Sequence, residues 1–202
     1  MTAVVENIIE PEKLFIPSLL IYEEMDGMPV YYRGYRDVLS GKKTLEEIMS
    51  CSSLQAVLVS LINYFLGTQI DRKKYIIATN ESGLHLAKGN NLANDIAIFE
   101  KENLKLDNHF FKIAPKIVVE VDIKAEVEEY PAREADYIFE KSQKLIEFGV
   151  EKIIWVTTQS HKIFIATPSD TWLVVDWNKD IEVMDGIIMN VKKILDEEEI
   201  SY

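Results

Sequence analysis

The chain has 202 residues, and its 34 acidic and 22 basic side chains give a formal net charge of −12. This length predicts a single domain that can fold without disulfides, and the one cysteine, Cys51, excludes a zinc site built from several cysteines. Because no apolar run is long enough to span a membrane and the N-terminal flank is acidic, we expect a cytoplasmic protein without a membrane segment or a secretory signal.

The predicted organisation of residues 1–202 is a single domain with a short segment at each end. Residues 1–15 are expected to form a loose arm, residues 16–195 the core, and residues 196–202 an acidic tail. Glycine and proline are few and nowhere concentrated, so the sequence contains no stretch typical of a linker between domains.

The first part of the core predicts a hairpin followed by a helix. Leu19–Glu24 and Met28–Arg33 flank Asp26-Gly27, a dipeptide that favours a tight turn between two strands. Apolar residues of Ser52–Phe65 recur at steps of three and four, which predicts a helix that Gly67 ends. This hairpin would add a pair of strands to whatever sheet the rest of the chain forms.

The remainder of the core predicts one more long helix, at Arg133–Phe148, and several strands rich in β-branched residues. A succession of strands, a long helix, strands, a second long helix and strands again is typical of an α/β (α+β) fold in which helices pack on a mixed sheet. The predicted strands are Tyr75–Thr79, Asn94–Phe99, Lys116–Lys124, Lys152–Thr158, Lys162–Ala166 and Thr171–Val175.

Ionisable side chains share one face of the predicted strand Lys116–Lys124. With a period of two, Glu120, Asp122 and Lys124 point to the same side, and Asp95 lies in the preceding apolar strand. If the two strands are neighbours, the three carboxylates converge, and they repel one another unless a divalent cation neutralises them. Hard divalent cations prefer oxygen ligands, and Mg²⁺ is the first candidate among them. The alternative is an ordinary strand whose polar face meets water.

Lys141 is a charged residue on the apolar face of the second helix. It follows Ile138 by three residues and precedes Leu145 by four, so it shares their core-directed stripe. A lysine in that position either extends its ammonium group to the solvent or meets carboxylates.

Three segments, in this order, resemble the Uma family of restriction-endonuclease-like proteins. Asn94–Phe99 resembles its "P-D-v-a-v" strand, and Val118–Val121 resembles its "v-v-E-v" strand. Lys141, followed eight residues later by Gly149-Val150, resembles its "K…Y…G-V" helix. The resemblance covers roughly residues 18–175. It implies the fold of the PD-(D/E)XK nuclease superfamily, a mixed central β-sheet flanked by helices.

The resemblance also implies roles for individual residues. Asp95 and Glu120 would bind Mg²⁺ or Mn²⁺, and Asp122 could add a ligand directly or through water. Asp122 stands where the lysine of the superfamily's E-x-K motif would be, so the lysine that helps to activate water is Lys141 or Lys124. Because the family carries its lysine on the helix, the resemblance favours Lys141.

Two functions follow as alternatives. The first is a magnesium-dependent endonuclease that hydrolyses phosphodiester bonds in nucleic acid, with DNA as the expected substrate. The second is a catalytically inactive protein of the same fold that acts as a binding or assembly module, which suits the net charge of −12. A nuclease would need a local positive field, and the candidates are Arg33, Arg36, Lys42, Lys43 and Arg72–Lys74.

We also expect a possible homodimer, because a nuclease that cuts two strands benefits from two sites. The apolar segments Trp172–Trp177 and Ile187–Met189 are the predicted interface.

Overall fold

The computed structural model describes residues 15–102 and 104–202. The predicted arm, residues 1–15, therefore lies outside the described residues except for Phe15. The first half of the described chain contains, in order, β1 (Ile21–Met25), β2 (Met28–Tyr31), α1 (Tyr35–Leu39), α2 (Leu45–Met49), α3 (Ser53–Gln69), β3 (Tyr75–Ala87) and β4 (Asn90–Glu100). The second half contains β5 (Ile117–Val121), α4 (Glu134–Phe148), β6 (Lys152–Thr157), β7 (Lys162–Ala166), β8 (Leu173–Asp176), β9 (Ile181–Met184), β10 (Ile187–Met189) and α5 (Val191–Glu197).

An eight-stranded mixed sheet forms the centre of the molecule. Its order is β2-β1-β4-β5-β6-β7-β8, with β3 paired to β4, and β9 and β10 form a separate two-stranded sheet. Strands β5 and β6 are parallel and are connected through α4, whereas the other pairs are antiparallel. The predicted fold class, a mixed sheet flanked by helices with an additional N-terminal strand pair, is confirmed.

The two faces of the large sheet carry different helices. Helices α3 and α5, together with β9 and β10, pack on the face formed by Ile96, Val119 and Ile154. Helix α4 packs on the opposite face, against Val118 and Trp155. Since side chains alternate along a strand, Asp95 in β4 and Glu120 in β5 both lie on the face that α4 covers. The fold therefore brings the two predicted carboxylates and the helix of Lys141 to the same side of the sheet.

Two predicted boundaries are wrong for physical reasons. Helix α3 does not end at Gly67, because Leu66 is fully buried and its carbonyl still accepts the backbone N–H of Ile70, so core packing outweighs the low helix propensity of one glycine. Strand β5 ends at Val121 and does not continue to residue 124. Asp122 has a φ of 60°, which lies in the left-handed region and is incompatible with an extended strand.

The predicted acidic tail, residues 196–202, does not begin where the folded core ends. Asp196 and Glu197 belong to α5, whose Leu195 is completely buried. Among the described helices, none combines the length and the apolar character that a bilayer crossing requires.

Candidate functional site

A gap in strand pairing lies at residues 92–95 of β4, and we call it the sheet gap. Strand β3 covers one edge of β4 almost throughout. On the other edge, β1 pairs with β4 at Asn91 and β5 pairs with it from Ile96 onward. Between these points no strand is paired with that edge, so the backbone groups that face it need other partners.

Three charged side chains provide those partners. Glu23, on β1, accepts a hydrogen bond from the amide of Ala93 at 2.9 Å. Lys141, on α4, donates to the carbonyl of Ala93 at 2.7 Å. Glu120, on β5, is 3.4 Å from the amide nitrogen of Asp95, which donates to it. The sheet gap is thus closed by side chains that bring two carboxylates and one ammonium group together.

The ammonium group of Lys141 is enclosed by this cluster. Its Nζ donates hydrogen bonds to Glu23 Oε1 at 2.7 Å and to the Ala93 carbonyl at 2.7 Å, and it forms an ion pair with Glu120 Oε1 at 2.9 Å. Two of its three donors are thus used by Glu23 and Ala93, and its charge also faces Glu120. The side chains of Lys141, Glu23 and Glu120 are 1%, 0% and 3% exposed. Lys141 therefore meets carboxylates, as one of the two sequence-based alternatives predicts.

Aromatic side chains surround the same cluster. The hydroxyl of Tyr137, one helical turn before Lys141, donates to Glu23 Oε2 at 2.7 Å. The Lys141 Nζ also lies 5.5–5.9 Å from the ring centroids of Tyr22, Tyr137 and Trp155. Rings at this distance stabilise a cation through their negative faces.

Burial and charge set the protonation of the cluster. Burial raises the pKa of Glu120 to about 8, and Asp95 and Glu23 contribute to the rise, while Lys141 opposes it. Burial also raises the pKa of Asp95. The backbone amide of Val121, which donates to Asp95 Oδ2 at 2.8 Å, lowers this pKa but does not cancel the effect of burial. Burial lowers the pKa of Lys141, but Glu120 and Glu23 outweigh this effect and hold it above its usual value. Lys141 is consequently charged at neutral pH, and burial favours the protonated form of Glu120.

The competing lysine, Lys124, lies on another side of Asp95. It is paired with Glu81 and lowers the pKa of Asp95 through its charge. Glu81 and its neighbour Asn80 form a bulge in β3 with φ values of 54° and 67°, an uncommon conformation for residues other than glycine. Such local strain persists only where the surrounding structure holds it in place. Both candidate lysines therefore act electrostatically on Asp95.

Asp122 makes different contacts from those predicted. One of its carboxylate oxygens accepts the backbone amide of Thr158 at 2.7 Å, and the other accepts the Thr158 hydroxyl at 2.6 Å. The left-handed backbone at Asp122 ends the two-residue alternation, so the shared face expected for residues 120, 122 and 124 does not extend past β5. Asp122 thus anchors the end of β6.

With Asp122 bound to Thr158, Asp95 and Glu120 remain as candidate metal ligands, and their carboxylate oxygens suit a hard divalent cation. Glu120 Oε1 is buried and has the Lys141 charge beside it, but it accepts no well-oriented hydrogen bond. In residues 15–102 and 104–202, no cluster of three or more His, Cys, Asp or Glu side chains is placed to hold a metal. Mg²⁺ commonly retains several waters and binds through one or two carboxylates together with substrate phosphate, so Asp95 and Glu120 fit it as a donor pair.

The surface charge near the hairpin is more balanced than the sequence suggests. Arg33 pairs with Glu134 at 2.8 Å, and Arg36 pairs with both Glu128 and Glu129 at 2.8 Å. Two of the arginines expected to provide a positive field are therefore matched by acidic residues of the segment that follows β5.

Comparisons with known proteins support the fold. No family model matches the chain, and no curated protein matches it. Among solved structures, the chain is similar to one from Anabaena variabilis ATCC 29413 that is described as "a putative nuclease belonging to DUF820". The TM-score is 0.59 at 15% sequence identity, and the match covers 86% of this chain and 89% of the other. This agrees with the predicted restriction-endonuclease-like fold, whereas membership of the Uma family is not confirmed.

Glu23, Tyr137 and Glu81 are site residues that the sequence analysis missed. A signal for Glu23 exists, because it lies two residues before the buried Met25 in a strand and therefore points inward. Tyr137 precedes Lys141 by four residues on the same helix face. No pattern in the sequence indicates Glu81, because its position depends on the bulge.

Proposed function

We propose that this protein is a metal-dependent nuclease that hydrolyses phosphodiester bonds in nucleic acid. The observation that carries the proposal is the pair of buried carboxylates, Asp95 and Glu120, assembled beside the Lys141 ammonium group on one face of the sheet. The similarity to a protein described as "a putative nuclease" supports the same reaction class. DNA is the first substrate to test.

Asp95 and Glu120 would hold Mg²⁺ or Mn²⁺. When bound, such a cation polarises a phosphodiester oxygen and lowers the pKa of a bound water. Asp122 is a weaker candidate ligand, since both of its oxygens already accept hydrogen bonds from Thr158.

In this proposal Lys141 does not act as a general base. Its charge is stabilised by Glu23 and Glu120, so it is a hydrogen-bond donor and holds its proton at neutral pH. We assign it to orienting Glu120 and to holding positive charge beside the carboxylates that would bind the cation. Lys124, beside Asp95, is the alternative lysine for contact with water or phosphate.

The second candidate function is a catalytically inactive protein that binds or assembles with a partner. The observation in its favour is the pairing of Arg33 and Arg36 with acidic residues in a chain of net charge −12. A duplex carries dense negative charge, and this surface offers little uncompensated positive charge to attract it.

The homodimer stays a proposal. Trp177 of the predicted interface is buried in the core, whereas Leu173 and Val174 on β8 are exposed.

Calorimetric titration with Mg²⁺ and Mn²⁺ tests the metal site. Wild type should bind either ion and gain melting temperature, because the cation binds only the folded arrangement of Asp95 and Glu120. Glu120→Gln and Asp95→Asn should lose both effects, and Glu182→Gln, an exposed acid on β9, is the matched control that should retain them. Equal binding by wild type and Glu120→Gln would exclude this site.

Cleavage assays separate the two functions. Labelled single-stranded DNA, duplex DNA and RNA should be tested with each metal, and Lys141→Ala, assayed at a temperature where circular dichroism shows it to be folded, should retain metal binding while losing turnover. If Lys141→Ala cleaves as fast as wild type, Lys141 has no catalytic role, and Lys124→Ala becomes the decisive variant. Metal binding by wild type without cleavage of any of these substrates would favour the binding or assembly module.

A further inference from the structure

A cavity of about 520 Å³ opens beside the sheet gap. It shares Glu23 and Ala93 with the Lys141 cluster, so an occupant would lie directly next to the proposed catalytic groups. Its volume falls within the range of small-molecule binding sites. Its lining includes Tyr22, Glu23, Glu24, Tyr32, Glu81 and Phe110.

The charge of the cavity excludes phosphate as its occupant. Glu23, Glu24 and Glu81 contribute to the walls, and none of the described residues that line the cavity is a lysine, arginine or histidine. Glu23 is paired with Lys141 and Glu81 with Lys124, whereas Glu24 accepts a hydrogen bond from the neutral Asn91 amide, so a phosphate group would meet the uncompensated Glu24 carboxylate, which is unfavourable. The cavity suits a neutral or cationic group that donates hydrogen bonds.

Its aromatic walls suit a flat ring. Tyr22 and Tyr32 lie with their ring centroids 5.1 Å apart, and Phe110 lies against β3 while remaining 55% exposed. A Cβ atom at Gly83 would be 2.5 Å from the Phe110 ring, so glycine is what allows this ring to lie so close to the strand. Tyr32 is buried and Tyr22 is half-buried, so Phe110 offers the exposed aromatic face, and such faces are the surfaces on which unpaired bases stack.

Glu24 supplies an acceptor for a donor on that ring. Its Oε2 accepts a hydrogen bond from the side-chain amide of Asn91 at 3.0 Å, which fixes the carboxylate and leaves Oε1 for a ligand. An exocyclic amino group is a donor that matches a carboxylate, whereas a carbonyl oxygen in the same place would be repelled.

We propose that this cavity binds a nucleobase carrying an exocyclic amino group, such as cytosine or adenine, beside the phosphodiester bond to be cleaved. The ring would stack on Phe110 with Tyr22 beside it, and the amino group would donate to Glu24. The proposal rests on the proposed function, since it assigns the base specificity of the same site. The base would enter unpaired, because both its face and its hydrogen-bonding edge are used.

Binding of cytidine and uridine, without metal, tests the proposal. These nucleosides differ at C4, which carries an amino group in cytidine and a carbonyl oxygen in uridine, and at N3, which is an acceptor in cytidine and an N–H donor in uridine; neither contains a phosphate. Ligand-observed NMR should give cytidine at least about tenfold higher affinity, the gain expected from one charge-assisted hydrogen bond. Equal affinity, or no binding of either nucleoside, would overturn the proposal.

Three variants assign the binding to this cavity. Glu24→Ala should remove the preference for cytidine, and Phe110→Ala should weaken the binding of both nucleosides. Neither side chain is buried, so both variants should fold. Leu106→Ala, in the same loop as Phe110 and 67% exposed, should change neither affinity. Cytidine binding that survives both Glu24→Ala and Phe110→Ala would place the nucleoside elsewhere and overturn the assignment.

Failure of this proposal and failure of the nuclease proposal give different results. Selective cytidine binding in a protein that cleaves no nucleic acid would leave the cavity assignment standing and contradict the proposed function. Cleavage of DNA or RNA without selective nucleoside binding would support the proposed function and overturn the cavity assignment. A free arginine amide that binds where cytidine does not would identify a site for a cationic ligand and overturn the nucleobase assignment.

Discussion

The ammonium group of Lys141 lies 2.7 Å from the carboxylate of Glu23, which is 118 residues away in the sequence, and both side chains are buried. This pair connects the N-terminal hairpin to α4. Because Glu23 also binds Tyr137 and the amide of Ala93, it holds the lysine in place beside Glu120. The geometry of the candidate site therefore depends on a residue that belongs to none of the motifs found in the sequence.

Lys141→Met should strongly destabilise the fold. The substitution leaves the buried carboxylate of Glu23 without its counter-charge, and breaking a buried ion pair in this way costs about 3–5 kcal/mol. The double variant Glu23→Gln/Lys141→Met should recover part of that loss, because a neutral amide replaces the unpaired charge. Urea unfolding of both single variants and the double variant gives the coupling free energy. A coupling near zero would contradict the importance of the pair.

Stability should decrease as the pH rises through the pKa of Glu120. That pKa is raised in the folded protein to about 8 from the usual 4.5, so the native state favours the protonated acid. The stabilising contribution is therefore complete below about pH 4.5 and is lost as the pH rises through 8. Melting temperatures from pH 5 to 9 should show this decline in wild type and a smaller one in Glu120→Gln. Parallel curves for the two proteins would contradict it.

Metal affinity should change with pH in the opposite direction. A proton on Glu120 competes with Mg²⁺, so apparent affinity should increase with pH up to about 8 and then level off. In the competing range, one pH unit changes affinity by up to about tenfold for one displaced proton. Calorimetry in buffers of different ionisation enthalpy gives the number of protons released. An affinity that does not depend on pH would exclude Glu120 as a ligand.

The central part of the site could be predicted because its signals are local. Asp95 and Glu120 each lie in a strand whose side chains alternate between the two faces of the sheet, and Lys141 lies on a helix with a clear apolar stripe. The structure places all three side chains on the same face of the sheet. Alternation within each element was sufficient for this prediction, because the two strands are adjacent and the helix connects β5 to β6.

Other features depend on relations that the sequence does not display. Glu23 acquires its role only when β1 pairs with β4 beside the sheet gap. The side chain of Asp122 is redirected by a left-handed backbone that no turn motif indicates. Helix α2 is a different case, because Thr44 and Glu47 form a capping box whose T-x-x-E spacing is visible in the sequence, although the sequence analysis did not predict this helix.

Removing the acidic partners of Arg36 should increase affinity for nucleic acid. Arg36 is paired with Glu128 and Glu129 on the surface, so Glu128→Gln/Glu129→Gln leaves its charge free to contact phosphate. Duplex DNA should bind more tightly and with a steeper dependence on salt. Glu197→Gln/Glu198→Gln changes net charge equally, at exposed positions near the C-terminus, and should have a smaller effect. Equal increases in DNA affinity in the two double variants would show that net charge, and not the release of Arg36, causes the increase.

Asp122→Asn should lower stability without lowering metal affinity. Both oxygens of Asp122 accept hydrogen bonds from Thr158, and an amide can replace only one of these acceptors, so a loss of about 1–3 kcal/mol is expected. Asparagine tolerates the left-handed backbone at this position, which isolates the effect of the side chain. Urea unfolding measures the loss, and titration with Mg²⁺ and Mn²⁺ measures affinity in the same preparation. If Asp122→Asn weakens metal binding as much as Glu120→Gln does, then Asp122 is a ligand, and its carboxylate must leave Thr158 when the cation binds.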